Sequence, residues 1–243
     1  MKGSRMELTG KVVVISGATG GLGKVTAQAY GAQGAKIALV SSDQTKLNAL
    51  VQELALPAGQ ALVQRADLRD RAAAQAALQA IADTLGPPQI LIHLVGGWIG
   101  DTDLVETPPD ALEAMLEQHV WTTWHLLQAA LPLMSTTGWG RVLIVSSPIA
   151  VHPQAQNAAY AAAKAAQEAL VLTLAQEHSA QGVTANVIQV RAIDIAHQRE
   201  QGRSPKHADW TLPEEIVAAM LYLCSPEGGR VNGTRLPLFG RGW

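Results

Sequence analysis

The 243-residue chain is short of several features that mark particular classes of protein. Cys224 is its only cysteine, which excludes an intrachain disulfide, and we interpret it as a buried apolar residue. Charged residues make up 16% of the chain, the net charge is -2, and the Lys and Arg residues are scattered. Because nucleic acids select for clustered positive charge, we expect no nucleic-acid partner. The sequence predicts no metal site either.

Long apolar runs are missing as well. No uncharged apolar stretch approaches the ~18 residues that a membrane-spanning helix needs. The first residues, MKGSRMELTG, lack the apolar core of a signal peptide. We therefore expect a protein that has no membrane partner and is located in the cytoplasm.

Apolar residues make up 48% of the chain. They are arranged in two kinds of segment, short and long, which alternate regularly along the sequence. Short runs rich in β-branched residues predict strands at Lys11–Ser16, Lys36–Val40, Gln60–Arg65, Ile90–Val95, Arg141–Ser146, Val183–Val190 and Thr234–Leu238. Longer Ala-rich stretches predict helices at Gly21–Gln33, Thr45–Leu54, Arg69–Leu85, Asp110–Met134, Asn157–Gln181 and Pro213–Leu223. Strands that are apolar throughout indicate a parallel sheet covered on both faces. We therefore expect one α/β domain over residues 1–243, doubly wound, with a mostly parallel seven-stranded sheet and helices on both faces.

A glycine-rich turn, SGATGGLG over residues 16–23, joins the first predicted strand to the first helix. Glycines permit positive φ and let the backbone approach a ligand closely. The helix start presents free N–H groups and a partial positive charge to a pyrophosphate. Because the turn comes directly after the first strand of a β-α-β unit, it predicts a Rossmann-type dinucleotide site rather than a plain turn.

Asp67 comes after the third predicted strand. Its carboxylate suits contact with the amino group of an adenine. It suits equally well an N-cap for the next helix, and the residue alone does not decide between the two interpretations.

Taken together, these motifs resemble the short-chain dehydrogenase/reductase family over nearly the whole chain. Residues 16–23 resemble that family's T-G-x-x-x-G-x-G with Ser for Thr, and Asp67 stands at its adenine-contacting position. Tyr160 and Lys164 match its Y-x-x-x-K, and Ser147 lies thirteen residues before Tyr160, which is the family's usual spacing. The resemblance implies an NAD(P)-dependent oxidoreductase that moves a hydride between a nicotinamide cofactor and a small carbonyl or alcohol substrate.

The resemblance also implies a set of site residues and an assembly. Ser147, Tyr160 and Lys164 would be catalytic. The cofactor, NADP or NAD, would contact Gly17, Thr19, Gly21, Leu22, Gly23, Ser41, Ser42, Asp67, Leu68, Gly96, Tyr160 and Lys164. The family commonly forms dimers or tetramers through its long helices, so we expect a homodimer or homotetramer through Asp110–Met134 and Asn157–Gln181.

Elementary chemistry supports the catalytic assignment. Tyr160 and Lys164 are four residues apart, so they share one face of a helix. A nearby ammonium, together with an oxidised nicotinamide, lowers the pKa of a phenol from about 10 and brings proton transfer closer to neutral pH. Ser147 ends the fifth predicted strand, where its hydroxyl can hold the substrate oxygen. The alternative is a half-buried helix tyrosine and a solvated lysine with no role in catalysis.

The choice between NAD and NADP depends on the end of the second predicted strand. A carboxylate there would bind the ribose hydroxyls and repel a 2′-phosphate, but the position is Ser41. Ser42 is next, where NADP-using relatives often have Arg. We expect NADP(H) to be accepted without strong preference, unless Asp43 turns toward the ribose and favours NAD.

Two histidines stand where the family has asparagine. The family's N-N-A-G becomes His93-Leu94-Val95-Gly96, so only the glycine is kept, and the catalytic Asn aligns with His119. An unperturbed histidine pKa near ~6.5 lies in the working range, so we expect His119 in the proton path, with His93 facing the same cavity. The alternative is that only the backbone carbonyl of His119 takes part.

The substrate side departs further from the family. Val190-Arg191 replaces its P-G, Ile195 replaces the Thr that comes after it, and residues 196–211 are short for its lid. The cofactor site is therefore better supported by the resemblance than the substrate site.

A narrower resemblance adds two alternatives. Gly96–Gly100 and Trp121-Thr122 resemble stretches of the dihydropteridine reductases, in which Trp98 and Trp121 would stack on a heteroaromatic ring. The competing interpretation places both tryptophans in the core or at a subunit interface. A protein that binds dinucleotide without turnover is the remaining alternative, and the retained spacing of Ser147, Tyr160 and Lys164 argues against it.

Overall fold

The computed structural model describes residues 8–202 and 207–239, so part of the predicted lid segment lies outside the described residues. Within them, seven strands form one sheet in the order β3-β2-β1-β4-β5-β6-β7, and every neighbouring pair is parallel. The strands are β1 (Val12–Ser16), β2 (Lys36–Ser41), β3 (Ala61–Arg65), β4 (Ile90–His93), β5 (Gly140–Ser146), β6 (Val183–Gln189) and β7 (Arg235–Pro237). The helices are α1 (Gly21–Ala32), α2 (Gln44–Leu54), α3 (Arg71–Leu85), α4 (Pro109–Met115), α5 (Thr122–Ser135), α6 (Ala158–Glu177) and α7 (Pro213–Cys224).

Strand β1 divides its side chains between two apolar cores, one on each face of the sheet. Val13 and Ile15 pack in the core that contains residues of α1, α2 and α7. Val12 and Val14 pack in the core that contains residues of α3, α5 and α6. Burial of each such side chain stabilises the fold by about 1.5–3 kcal/mol. The strand is apolar at successive positions because both faces are covered, and the predicted α/β fold with helices on both faces is confirmed.

The order of the strands creates the ligand-binding edge of the sheet. The chain runs outward from β1 to β3 and then returns to the other side of β1 for β4. Such a reversal leaves a crevice beyond the carboxyl ends of the two strands. Ser16 and His93, which end β1 and β4, pair in register at this point.

The predicted single helix Asp110–Met134 is interrupted by a π-helical segment, Leu116–Trp121, between α4 and α5. The amide of Thr122 donates to the carbonyl of Glu117, five residues back. The hydroxyl of Thr122 donates instead to the carbonyl of Gln118, four residues back, at 2.6 Å. The hydroxyl thus replaces the amide that an α-helix would offer to that carbonyl.

Three further observations concern the sequence predictions. Cys224 is buried, as predicted, and its Sγ lies 3.3 Å from the Tyr30 hydroxyl. No helix in residues 8–202 and 207–239 is long and apolar enough to cross a membrane. The same residues contain no group of three or more His, Cys, Asp and Glu side chains that is placed to hold a metal ion.

Candidate active site

The glycine turn brings bare backbone to the crevice. Gly17 has φ 71°, and a Cβ there would lie 2.7 Å from the Leu94 carbonyl carbon. A Cβ on Gly21 would lie 2.7 Å from the side chain of Ile195. Helix α1 starts after Gly20 without a side-chain cap, so its first N–H groups are left for a ligand. A pyrophosphate fits this arrangement because it accepts from free N–H groups and needs no side chain in its way.

Two cavities open at the crevice and share the glycine turn. The first has a volume of ≈ 530 Å³, and its lining includes Gly17, Thr19, Ser41, Ser42, Asp67, Leu68 and Gly96. The second has a volume of ≈ 410 Å³, and its lining includes Gly17, Gly21, Leu22, Gly23, Gly96, Trp98, His119, Ser146, Tyr160 and Lys164. All sequence-predicted cofactor residues therefore line one cavity or the other.

Ser147 is the one predicted catalytic residue that lines neither cavity. It is buried and precedes the short 3₁₀ helix Pro148–Ala150, where its Oγ accepts from the amide of Ile149 at 3.4 Å. It also lies near enough to Tyr160 to lower the pKa of that phenol. The neighbouring Ser146 lines the second cavity, and its buried Oγ has no partner among the described residues. Ser146 was not predicted from the sequence as a site residue. The signal that could have indicated it is the pair of adjacent serines, Ser146 and Ser147, at the end of β5.

Tyr160 is a protonated phenol in the chain alone. Burial raises the pKa of Tyr160 to about 12, and the nearby hydroxyl of Ser147 opposes this effect. The Nζ of Lys164 lies 6.0 Å from the centre of the Tyr160 ring. Lys164 is not among the causes that shift the pKa of Tyr160 in the protein without a ligand, and the expected joint effect of the ammonium and an oxidised nicotinamide stays a prediction.

Lys164 is buried, so the alternative of a solvated lysine is wrong. Its side chain on α6 reaches the end of β5, where Nζ donates to the carbonyl of Val145 at 3.0 Å and to Oε1 of Gln167 at 2.9 Å. Burial lowers the pKa of Lys164 to about 8, and the negative charge of Glu168 opposes this effect.

His119 faces the second cavity from the π-helical segment and is completely buried. Its Nε2 lies 2.9 Å from the carbonyl of Gly97, so this nitrogen carries the proton and donates. Nδ1 is an acceptor without a partner in the part of the chain that the structure describes. Its ring meets that of Tyr160 edge-on at 5.6 Å. Burial first, and then the charge of Lys164, lower the pKa of His119 to about 3, so the expectation that it titrates near 6.5 is wrong.

His93 lies behind the site and lines neither cavity. Its Nδ1 is 2.7 Å from Oγ of Ser16, and its Nε2 is 3.4 Å from Oγ1 of Thr122. Burial is the main cause that lowers the pKa of His93 to about 3, with smaller contributions from the charges of Lys164 and His119. The expectation that His93 faces the same cavity as His119 is wrong: it joins β1 to the start of α5.

The two carboxylates near the first cavity have different roles. Asp67 lines the cavity and pairs with Arg69, whose Nη2 lies 2.7 Å from Oδ2 of Asp67. This pairing lowers the pKa of the Asp67 carboxyl. Asp70, not Asp67, caps α3, so the N-cap alternative for Asp67 is wrong. Asp43 caps α2, with its Oδ1 3.0 Å from the amide of Lys46, and this carboxylate does not line the cavity.

The tryptophans singled out in the sequence are both exposed. Trp98 is 53% exposed, lines the second cavity, and donates from Nε1 to Oδ1 of Asn157 at 2.9 Å. Asn157 immediately precedes α6, the helix of Tyr160, so the indole is held at the start of that helix. Trp121 is 50% exposed and stacks on His125 with 5.7 Å between ring centres. Neither tryptophan belongs to the core.

Comparison with protein families gives a match to short chain dehydrogenases over residues 11–206. Among curated proteins, 2,3-dihydroxy-2,3-dihydro-p-cumate dehydrogenase of Pseudomonas putida is 28% identical, with 94% of this chain and 92% of that protein covered. The 7alpha-hydroxysteroid dehydrogenase of Escherichia coli is 27% identical, with 98% and 96% covered.

Solved structures share the fold. The NADPH-bound short chain oxidoreductase of Pseudomonas aeruginosa, described as containing an atypical catalytic center, superimposes with a TM-score of 0.88 at 24% identity and covers 98% of each chain. A short-chain type dehydrogenase/reductase from Mycobacterium ulcerans gives a TM-score of 0.87 at 22% identity, with 96% of this chain and 90% of that chain covered.

Proposed function

Because the chain belongs to the short chain dehydrogenase family and is an NAD(P)-dependent oxidoreductase, we propose that it interconverts a small alcohol and the corresponding carbonyl compound at the second cavity. The observation that carries the proposal is that Tyr160, Lys164 and the glycine turn line this one cavity. The nicotinamide, when bound, supplies or accepts the hydride. The residues of the chain bind it, orient the substrate and move the proton.

We assign the proton to the phenol oxygen of Tyr160. In the direction of reduction, the neutral phenol donates to the substrate oxygen as the hydride reaches the carbonyl carbon, and the nearby ammonium of Lys164 stabilises the phenolate that is left. The pKa of about 12 keeps the phenol protonated and ready to donate. Oxidation of an alcohol needs a lower pKa, to which the positive charges of Lys164 and the oxidised nicotinamide both contribute.

The hydroxyl of Ser147 is near enough to Tyr160 to lower the pKa of the phenol, which supports a role for both groups at one substrate oxygen. Lys164 has three N–H donors and uses two of them on Val145 and Gln167. Because Lys164 lines the cavity, the third donor is available to the ribose hydroxyls of the cofactor.

The substrate that we propose contains a ring. The two curated relatives act, by their names, on a cyclic diol and a hydroxysteroid. The exposed indole of Trp98 offers a flat apolar face at the cavity and is held there by Asn157. A quinonoid pterin would also stack on this face, so the dihydropteridine-reductase alternative is included in the substrate screen.

The first cavity supports binding of NADP(H) as well as NAD(H). Its ribose end has the hydroxyls of Ser41 and Thr19, 3.0 Å apart, and no carboxylate, since Asp43 is engaged at the start of α2. Arg65, in register with Ser41, donates from Nε to the carbonyl of Ser42 at 3.2 Å. Its guanidinium therefore places positive charge next to Ser42, which lines this cavity, although Arg65 itself does not.

The remaining proposals concern the whole molecule. One domain over residues 1–243 is supported by the single sheet with its two cores. A homodimer or homotetramer is supported by exposed apolar side chains along α4, the π-helical segment and α5, namely Leu112, Trp121 and Trp124, and light scattering would test it. A cytoplasmic location is supported by the single unpaired cysteine, and cell fractionation would test it.

A substrate screen tests the function. The purified chain is incubated with NAD⁺ or NADP⁺ and a cis-dihydrodiol, a 7α-hydroxysteroid or a cyclohexadienediol, and separately with NADH or NADPH and a quinonoid dihydropterin. The absorbance of the reduced nicotinamide is followed. We expect turnover with at least one cyclic alcohol. Turnover with the dihydropterin alone would assign the pterin reaction instead. Dinucleotide binding without any turnover would contradict both and favour the non-catalytic alternative.

Tyr160→Phe tests the mechanism on the substrate that the screen identifies. We expect turnover to be abolished and NADPH binding to stay within a few-fold, because the phenol oxygen carries the proton while the glycine turn holds the pyrophosphate. Tyr222→Phe, on the exposed face of α7, is the matched control and should keep full activity. Parental kcat in Tyr160→Phe would show that the mechanism is wrong.

A further inference from the structure

Gln167 is a buried polar residue on the catalytic helix to which the proposed function gives no role. It is 1% exposed and lies on α6, one turn after Lys164. Its Oε1 accepts from Nζ of Lys164 at 2.9 Å, and its Nε2 donates to Oγ1 of Thr123 at 2.9 Å. Thr123 donates in turn to the carbonyl of His119 at 2.5 Å. These hydrogen bonds therefore form a chain from the Lys164 ammonium through Gln167 and Thr123 to the π-helical segment, and every group in it donates toward that segment.

An amide at this depth is costly unless both of its ends are bonded. An apolar side chain of similar length would fill the same space without that cost, so packing alone does not explain a glutamine here. The amide orientation is set by its neighbours: the ammonium can only donate, so the oxygen must face Lys164 and the nitrogen must face Thr123. Thr123, on α5, cannot turn away without giving up the carbonyl of His119.

We propose that Gln167 is a positioning residue whose amide, held from behind by Thr123, keeps the Lys164 ammonium charged and aligned at the second cavity. Without the glutamine oxygen, the carbonyl of Val145 is the only protein acceptor left to that ammonium in the described residues. The side chain would then regain rotamers, and the buried charge would lose half of its hydrogen bonds. The proposal rests on the role of Lys164 in the proposed function.

The charges around Lys164 come from several elements. Glu168, on the same helix, favours the ammonium, but this carboxylate is shared with Arg235 of β7 and with Gln189 of β6. His93 on β4 and His119 on the π-helical segment interact with Lys164 and are neutral above pH 5, since each has a pKa of about 3. Tyr160 is a neutral phenol over the same range, with its pKa at about 12. Near neutral pH, Gln167 thus accepts a hydrogen bond from the ammonium, and the Gln167 amide carries no charge that changes with pH.

The test measures the titration of Lys164 in the protein without cofactor. NMR of isotope-labelled lysine tracks its Cε signal, and Lys164→Met assigns it. Gln167→Met removes the acceptor, and we expect the midpoint to move to lower pH by about one unit, the effect of one hydrogen bond to a charged group. Gln167→Glu keeps an oxygen next to the ammonium and adds charge, so the midpoint should move to higher pH. Opposite shifts are not expected of a residue that only fills space.

Two further variants keep the result interpretable. Thr123→Val removes only the anchor behind the amide and should shift the midpoint to lower pH by less than Gln167→Met, which covers the case in which Gln167→Met does not fold. Gln60→Met is the matched control: its amide holds the carbonyls of Gly31 and Ala35, away from the site, and the midpoint should stay at the parental value. If the Gln167 and Thr123 variants also keep the parental midpoint, the proposal is overturned. Parental turnover in Lys164→Met would instead overturn the proposed function, so the two failures are distinguishable.

Discussion

The two buried histidines make the stability of this protein sensitive to mild acid. His93 and His119 are almost completely buried, and burial lowers the pKa of each from 6.5 to about 3. In the unfolded chain both take up a proton near pH 6.5, whereas in the folded chain both stay neutral until the pH approaches 3. The unfolded state therefore binds more protons in this range, and the free energy of unfolding must fall as the pH falls below 6.5.

The size of the effect depends on the width of the window. One pH unit corresponds to about 1.4 kcal/mol for a group that is protonated in only one of the two states. Because each histidine is only half protonated at pH 6.5 in the unfolded chain, acidification from pH 6.5 to 5.0 should cost about 1.6 kcal/mol for each histidine and about 3 kcal/mol for both. This is a large part of a typical unfolding free energy of about 5–15 kcal/mol. The carboxyls with shifted pKa values, such as Asp67 and Glu215, lose their contributions only at lower pH.

Urea unfolding at several pH values between 7 and 5, at one protein concentration, measures the loss directly. His93→Asn and His119→Asn should each remove about half of the pH dependence, and the double variant most of it. His197→Asn is the control of opposite sign: Glu200 raises the pKa of this exposed histidine, so its contribution is present at low pH and is lost as the pH rises. A parental unfolding free energy that stays constant from pH 7 to 5 would show that the histidines take up protons in the folded state, and would refute the reasoning.

Three further predictions concern binding and catalysis. Arg65→Ala should weaken NADPH binding by about ten-fold and leave NADH binding within two-fold, because one charge-assisted hydrogen bond to a 2′-phosphate is lost. Equal losses of NADPH and NADH affinity in paired fluorescence titrations would contradict a role of Arg65 at the phosphate. Trp98→Ala should raise KM for a cyclic substrate by about ten-fold and change KM for the cofactor little, since only the ring loses its apolar contact; steady-state kinetics with each reactant varied would show it. His119→Ala should lower kcat by about ten-fold, and His119→Asn should recover much of this loss. The parent should show no acid limb near pH 6.5 in its pH profile of kcat, because the His119 pKa of about 3 lies far below that pH. An acid limb in the parent that disappears in His119→Asn would show that the histidine titrates there.

The positions of the strands and the cofactor residues could be predicted from the sequence because they depend on local patterns. A strand covered on both faces must be apolar at successive positions, and β1, β2 and β4 are buried along nearly their whole length. The glycine turn likewise depends on residues adjacent in the chain, and every predicted cofactor residue lines a cavity. The assignment of these residues to the cofactor, and the catalytic assignments to Ser147, Tyr160 and Lys164, stay predictions.

The parts that could not be predicted depend on contacts between residues distant in the chain. The family pattern suggested that His93 faces the same cavity as His119, but the three-dimensional packing puts His93 against Ser16 and His119 against Gly97. The pKa of a histidine in water gave no indication that burial would lower both values to about 3. Gln167 escaped notice because a single glutamine in an Ala-rich helix shows no pattern until Lys164 and Thr123 are seen on either side of it.

The π-helical segment has a consequence for insertions and deletions. Each residue advances an α-helix by about 100°, so the extra residue that a π turn accommodates sets the rotation of α5 relative to α4. Before the break, α4 packs against α6, the helix of Tyr160; after it, α5 packs against α3. Removal of one residue from Leu116–Trp121 would let a continuous α-helix form, and it would then turn either His119 away from Tyr160 or α5 away from α3. The length of this segment therefore sets how α4 and α5 are oriented on the fold.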